Sequence, residues 1–325
     1  MKKETLKKVV ILALAICTIL TIYACGGEKD VTMKLGEKTT VEGYVEFTPV
    51  NVLVSDKVFP PVTGTYPMGW TAKTGKTFVI VIADVKNLSD EAIKASSFCK
   101  YKLSIGEDSF NSSMTNVVTD EGTKLSSSLS IEAGKTETVY FVVEMDANAV
   151  NKETLAEFAF TKDDDEPVFN YKLTVDTTKP FAVVKKLELN KKISVDGLCE
   201  LTPTDVKFTK KIVPSNPGSF YNYYQANGSN EKLLVVNMKS KNLSDAKKAA
   251  YKLYGVTAIY DGSTQIGGVV ADDENKANIR QNEEIGAGAN RTTYGVVTLS
   301  KKAEKAKCDL YIYLNGTYYQ YTYGK

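Results

Sequence analysis

Apolar and polar residues alternate with a period of two along most of this chain, the spacing that sends successive side chains to opposite faces of a β-strand. Residues 76–86 (KTFVIVIADVK) and 232–241 (KLLVVNMKSK) are rich in β-branched side chains and predict two long strands. Both runs meet the same five residues, Lys-Asn-Leu-Ser-Asp, at 86–90 and again at 241–245. Short polar side chains of this kind bond their own backbone and stop a strand, so each copy predicts the exit of a central strand into a turn. Residues 308–323 read as a hairpin with Asn315-Gly316 at its tip. Pairing outward from that tip opposes Ile312 to Tyr319 and Leu310 to Tyr321. Cys308, Leu310, Ile312, Tyr319, Tyr321 and Tyr323 then share one face, and Tyr311, Tyr313, Tyr318 and Gln320 the other. Phe158, Phe160, Phe169 and Tyr171 repeat the arrangement around a longer turn at 162–167. Helical spacing is sparse: residues 148–158 (NAVNKETLAEF) predict one short helix, and residues 300–307 its counterpart.

The five-residue match belongs to a longer duplication. Residues 35–60 lie over 189–214 without a gap at an offset of 154, with Leu35/Leu189, Gly43/Gly197, Thr48-Pro49/Thr202-Pro203, Lys57/Lys211 and Pro60/Pro214 among the identities. Residues 134–143 match 288–297 at the same offset. Two long copies make a tandem pair rather than a solenoid, and each copy is expected to close its own core. About seven short strands per copy, with turns roughly every ten residues, predict an all-β fold of two tandem Ig-like antiparallel β-sandwiches. The expected bounds are 35–175 and 189–325, with a linker at 176–188.

The first residues follow neither pattern. Residues 1–8 are basic and residues 9–24 form an apolar run of 16, short for a membrane span and typical of a signal peptide, expected at 1–24. Ile22-Tyr23-Ala24-Cys25-Gly26 resembles the bacterial lipobox, although Tyr23 stands where a small residue is usual. The resemblance implies lipidation of Cys25 and attachment to the membrane through two or three acyl chains, with residues 25–34 as a tether. Without residues 1–24 the chain carries 37 basic and 38 acidic residues, a balance that argues against nucleic acid as a partner. It has no histidine, which excludes Ser-His-Asp and Cys-His machinery and His-ligated zinc.

Gly75-Lys76-Thr77-Phe78, the strand behind it and Lys86 to Asp90 carry a resemblance of their own. They are similar to the Ig-like domains of bacterial surface lipoproteins grouped as domains of unknown function, a β-sandwich family similar to the mycobacterial immunoprotective extracellular antigen. The second copy keeps Lys241 to Asp245 and the preceding apolar run. The resemblance implies a fold and an extracytoplasmic compartment, and no catalytic residue comes with it.

Three features could carry chemistry. Cys99, Cys199 and Cys308 fall on inward-facing strand positions and read as buried thiols, with a Cys199–Cys308 bridge as the alternative. The acidic runs at 163–166 and 272–274 lack the alternating spacing and glycine of a calcium loop and read as solvated turns, so no metal or other cofactor is expected. The third feature is a pair of Gly/Pro/aromatic loops at equivalent places. The first copy holds Tyr66 and Trp70, the only tryptophan, and the second holds Phe220, Tyr221, Tyr223 and Tyr224. Aromatics on loops held by a rigid sandwich grip carbohydrate, peptide or protein ligands, and the competing reading is a loop folded back over one end of the core.

The expectation is therefore a membrane-anchored extracytoplasmic binding or adhesion module for a cell-envelope or host ligand, without catalysis. A sandwich-type protease inhibitor and a solute-binding lipoprotein are the alternatives. The second usually needs alternating strands and helices, which this chain lacks.

Overall fold

The computed structural model describes residues 30–63, 69–161 and 168–324. No α-helix occurs among them, and four short 3-10 turns interrupt a chain otherwise built from strands and loops. Residues 31–175 form two facing sheets. The first, of five strands, runs Val31–Met33, Tyr171–Val175, Thr154–Phe160, Cys99–Ile105, Asp108–Asn111. The second, of six, runs Lys124–Ser126, Met114–Thr119, Thr136–Asp146, Lys76–Asn87, Val45–Ser55, Thr39–Val41. Neighbours are antiparallel except Val31–Met33, which lies parallel to Tyr171–Val175.

Residues 185–323 repeat both sheets strand for strand. The long Glu231–Asn242 strand lies between Cys199–Thr209 and Asn290–Ser300, and Lys185–Lys186 lies parallel to Thr317–Tyr323. The repeat extends to irregularities. The shared Thr-Pro puts a bulge between Pro49 and Asn51 in one copy and between Pro203 and Asp205 in the other. Proline has no N–H to give a ladder, and a bulge is where a long strand accommodates one. The Pro49 carbonyl accepts the Gly36 N–H at 2.7 Å and the Pro203 carbonyl the Asn190 N–H at 2.6 Å.

The repeated pentapeptide does what its composition predicts. Asn87 is fully buried at the end of its strand; its Nδ2 donates to the Glu91 and Ile131 carbonyls at 2.6 and 2.8 Å, and its Oδ1 accepts from the N–H and hydroxyl of Ser89. Asn242 makes the same four bonds to Ala246, Ile285 and Ser244. The C-terminal hairpin also has the expected register, Ile312 opposite Tyr319 and Leu310 opposite Tyr321. At its tip Asn315 and Gly316 both take positive φ, 43° and 79°, as the tight turn requires.

One predicted helix is corrected. Residues 148–158 hold only the end of a 3-10 turn, Ala147–Ala149, and then enter the Thr154–Phe160 strand. Leu155, Ala156 and Glu157 favour a helix in isolation, but neighbours on both sides pair with this segment and bury Ala156 and Phe158 completely. In the counterpart, Lys301–Lys305 is a 3-10 helix.

Between the first two sheets Phe47, Tyr101, Phe141 and Phe158 form an edge-to-face and stacked cluster, Phe47 and Phe158 at 5.0 Å. Leu201, Leu234, Met238, Tyr254, Leu310 and Ile312 occupy the equivalent place in the second copy.

Each copy has its own internal core, and a third cluster joins the two. Leu53, Phe78, Ile80, Ile82, Tyr140 and Val142 face away from the first core, yet all are buried. Tyr311 and Tyr318, on the outward face of the C-terminal hairpin, cover them. Phe181, from the segment read as a linker, lies between, 4.5 Å from the Tyr311 ring and 4.4 Å from the Tyr318 ring. The same segment continues the sheet edge: Val54 N–H donates to Pro180 O, Ala182 N–H to Val52 O, and Asn51 bonds both backbone groups of Val183. Four sheets thus stack in one block.

Across the stack, the second copy's equivalent outward face is less apolar. Lys207 and Asn237 stand where Leu53 and Ile82 stand in the first, and residues 212–226 fold over what remains: Ile212, Tyr224 and Ala226 pack with Leu233, Val235, Tyr294 and Val296. The same sheet face is thus covered in two ways, by the other copy in one case and by the chain's own loop in the other.

Candidate functional site

The two aromatic loops, equivalent in sequence, part company in the structure. Residues 58–63 of the first are buried against the second copy. The Thr63 hydroxyl donates to the Gly267 carbonyl, and the Pro61 carbonyl lies so close to Gly255 that a Cβ there would sit 1.9 Å away. Folding back is therefore the right reading for this part of the loop. Trp70 pairs with Val58 in a two-residue strand and remains 42% exposed. Tyr66 lies outside the described residues, as does Cys25.

The second loop does both jobs. Its ends, with Tyr224, cover the sheet, while its tip stands clear: Phe220 is 97% exposed and Tyr223 46%. An isolated exposed phenylalanine on a floppy loop would mean little, but this tip is held from below. Asp272, fully buried, accepts from the Ser215 hydroxyl and N–H and from the Tyr294 hydroxyl. The Asn216 N–H donates to Lys276 O at 2.8 Å, the Asn222 N–H to Asn278 Oδ1 at 2.9 Å, and the Ile279 N–H to Asn222 O at 3.0 Å. Asp273 in turn fixes the turn that supplies Asn278, accepting from Ala277 N, Asn278 N and Asn278 Nδ2. Burial works to raise the Asp273 pKa, but those hydrogen bonds outweigh it and hold the carboxyl below the usual range.

The solvated-turn reading of 272–274 is thereby corrected for Asp272 and Asp273, while Glu274 does face water. Asp272 is wholly inside and Asp273 nearly so, because they tie the loop to the sheet instead of facing water. Among the described residues no group of three or more His, Cys, Asp or Glu is placed to hold a metal ion. The acidic run at 163–166 lies outside the described residues.

Lys211 completes the tip. Its Nζ lies 3.7 Å from the Tyr223 ring centre and 5.2 Å from that of Tyr221, and the two rings meet edge-on at 6.3 Å. A lysine held over aromatic faces is a cation–π arrangement that orders both partners. Lys211 was visible in the sequence only as an identity with Lys57, whose Nζ instead crosses to the other copy and donates to Thr264 O at 2.6 Å. Among the described residues no ring contact joins Trp70 to this cluster. The structure brings together Tyr221, Tyr223 and Lys211, with Phe220 exposed next to them in the chain; Tyr224 belongs to the supporting core.

Cys99, Cys199 and Cys308 are free and buried, so the bridge between the last two is absent. Burial raises all three thiol pKa values, that of Cys199 to about 12, which leaves no reactive thiolate. Residues 26–325 are expected to give no reaction with a thiol reagent while folded and three thiols per chain in urea. Rapid labelling of the native protein would contradict this packing.

Among the described residues no helix is long and apolar enough to cross a membrane. No protein-family model matches the sequence, and no curated protein matches it. Solved structures similar to parts of the chain include a β-sandwich protein of Clostridium difficile, 19% identical, covering 43% of this chain and 95% of its own, with a TM-score of 0.40. A candidate lipoprotein of Bacillus subtilis (ycdA) is 14% identical over 42% of this chain and 38% of its own, with a TM-score of 0.27. A marsupial T cell receptor is 10% identical over 84% and 99%, with a TM-score of 0.23.

Proposed function

We propose that this protein is a lipid-anchored extracytoplasmic binding or adhesion module, without catalysis, that meets a carbohydrate, peptide or protein ligand of the cell envelope or a host through the tip formed by Phe220, Tyr221 and Tyr223. The observation that carries the reading is the pairing of near-complete exposure at Phe220 with a loop pinned by a buried carboxylate. Water contact with a whole phenyl ring forgoes roughly 2 kcal/mol of burial. A loop already ordered by Asp272 and Asn278 loses little entropy when a ligand supplies that burial. Tyrosine beside it adds flat apolar area with a polar edge, suited to sugar rings and peptide backbones alike. Cys25 would hold the module at the membrane.

The test uses residues 26–325 in a screen of glycans, peptidoglycan and host-cell surfaces, followed by Phe220→Ala, Tyr221→Ala and Tyr223→Ala combined. The triple variant is expected to lose at least tenfold in affinity for whichever ligand the parent binds, about 1.4 kcal/mol or more. Undiminished binding would remove the tip from the account. Mass spectrometry of the mature N-terminus tests the anchor separately: a diacylated Cys25 is expected, and an unmodified one refutes it.

A further inference from the structure

The stacking of the two copies leaves a second recess, unrelated to the exposed loop. Between the outward face of the first six-stranded sheet and the tip of the C-terminal hairpin lies a crevice of about 170 Å3. Three tyrosines line it: Tyr140 from the sheet, and Tyr313 and Tyr318 from opposite strands of the hairpin. The last two face each other across the Asn315-Gly316 turn, ring centres 5.1 Å apart and planes inclined by 60°, which makes a corner of two aromatic walls. Phe181 supports Tyr318 from behind at 4.4 Å.

The crevice carries one charge. Asp84 is the only ionisable acid or base in its lining apart from the phenols, and no lysine or arginine contributes. Its Oδ1 accepts the Thr138 hydroxyl at 2.8 Å, and among the described residues it forms no ion pair. Other acidic side chains on these sheets do have a lysine beside them, as Glu46 has Lys38 and Glu200 has Lys192. At the matching place in the second copy stands Lys239, so duplication alone did not produce the carboxylate. Burial raises the pKa values of Tyr140, Tyr313 and Tyr318, with the Asp84 charge adding to the rise at Tyr313, so the phenols stay neutral.

Three neutral aromatic rings and one unpaired carboxylate around a small recess have the chemistry that recognises a weakly hydrated organic cation. A hard metal ion asks for six or more oxygen ligands, and a single carboxylate does not supply them. We propose that this crevice binds a small quaternary ammonium group, with Tyr313 packing on its methyls beside the largely buried Tyr140 and Tyr318 and Asp84 balancing its charge. The site exists only where the two copies meet, so an occupant bridges them and stabilises the stack.

The test is calorimetric titration of residues 26–325 with choline, with its neutral isostere 3,3-dimethylbutanol and with calcium chloride, alongside the unfolding temperature in each. Saturable choline binding is expected, with the neutral isostere at least roughly tenfold weaker and calcium without effect. Choline is also expected to raise the unfolding temperature. Asp84→Asn keeps the size of the side chain and a partner for Thr138; it is expected to unfold at the unmodified protein's urea midpoint and to bind choline at least roughly tenfold more weakly. Tyr313→Leu is expected to weaken choline similarly while Tyr313→Phe does not. Absence of saturable choline binding, equal binding of the neutral isostere, or an unchanged affinity in Asp84→Asn would each overturn the proposal.

Discussion

Replacing Phe181 by alanine is expected to lower stability by about 3–5 kcal/mol and to split one unfolding transition into two. The segment around this residue has the composition of a connector, yet the ring is 4% exposed and packed between Tyr311 and Tyr318. Removing it leaves a void shared by the first copy's outward face and the hairpin. The void weakens the contact between copies while leaving both internal cores intact. With Phe181 present, Leu53, Ile80, Ile82 and Tyr140 stay dry only if the second copy is folded against them, so the copies should unfold together. Urea unfolding followed by tyrosine fluorescence and by far-ultraviolet circular dichroism checks this: coincident curves for the unmodified protein and separated curves for Phe181→Ala are expected. Two transitions already present in the unmodified protein would show that the shared cluster does not couple the copies.

Asn87→Ala is expected to cost about 2–4 kcal/mol, and Asn242→Ala about as much. Each side chain is fully buried and uses both donors and both acceptor sites, so truncation strips the buried Ile131 or Ile285 carbonyl of a partner in a place water does not reach. Asn87→Asp should be worse at pH 7 than at pH 4. A buried carboxyl without a cation takes a folded-state pKa above its unfolded value, so the folded form holds its proton longer, and stability is lost as pH rises through the folded pKa. Urea midpoints at the two pH values measure it. A loss below about 1 kcal/mol in both alanine variants would mean that the pentapeptide is a relic of duplication and not a structural joint.

The strands were legible because period-two alternation is a local signal, and the hairpin register because Asn-Gly restricts the turn to one geometry. The pentapeptide was legible as a turn for the same reason, since the bonds to Ser89 and Glu91 are local, whereas the bonds to Ile131 and Ile285 are not. Residues 148–158 misled because Leu155, Ala156 and Glu157 have helical preference, and pairing with strands about 20 and 50 positions away overrode it. The burial of Asp272 was hidden because its partner Ser215 lies 57 residues earlier on a loop without periodicity. The stacking of the copies was hidden too. Ile80 and Ile82 alternate with Val79 and Val81 in a run apolar on both faces, which announces burial on both sides without saying by what. In the candidate tip, the exposed aromatics could be read from composition, while Lys211 and the buried pins could not.

Contact between unlike faces of like modules is head-to-tail, and such a contact has no natural end: each added module offers the next the surface that received the last. Residues 212–226 close that surface in the second copy, with Lys207 and Asn237 making it less welcoming still. The loop thus occupies, in the second copy, the face that receives a neighbouring module in the first, so the segment that carries the exposed Phe220 is also a cap on the repeat's open sheet.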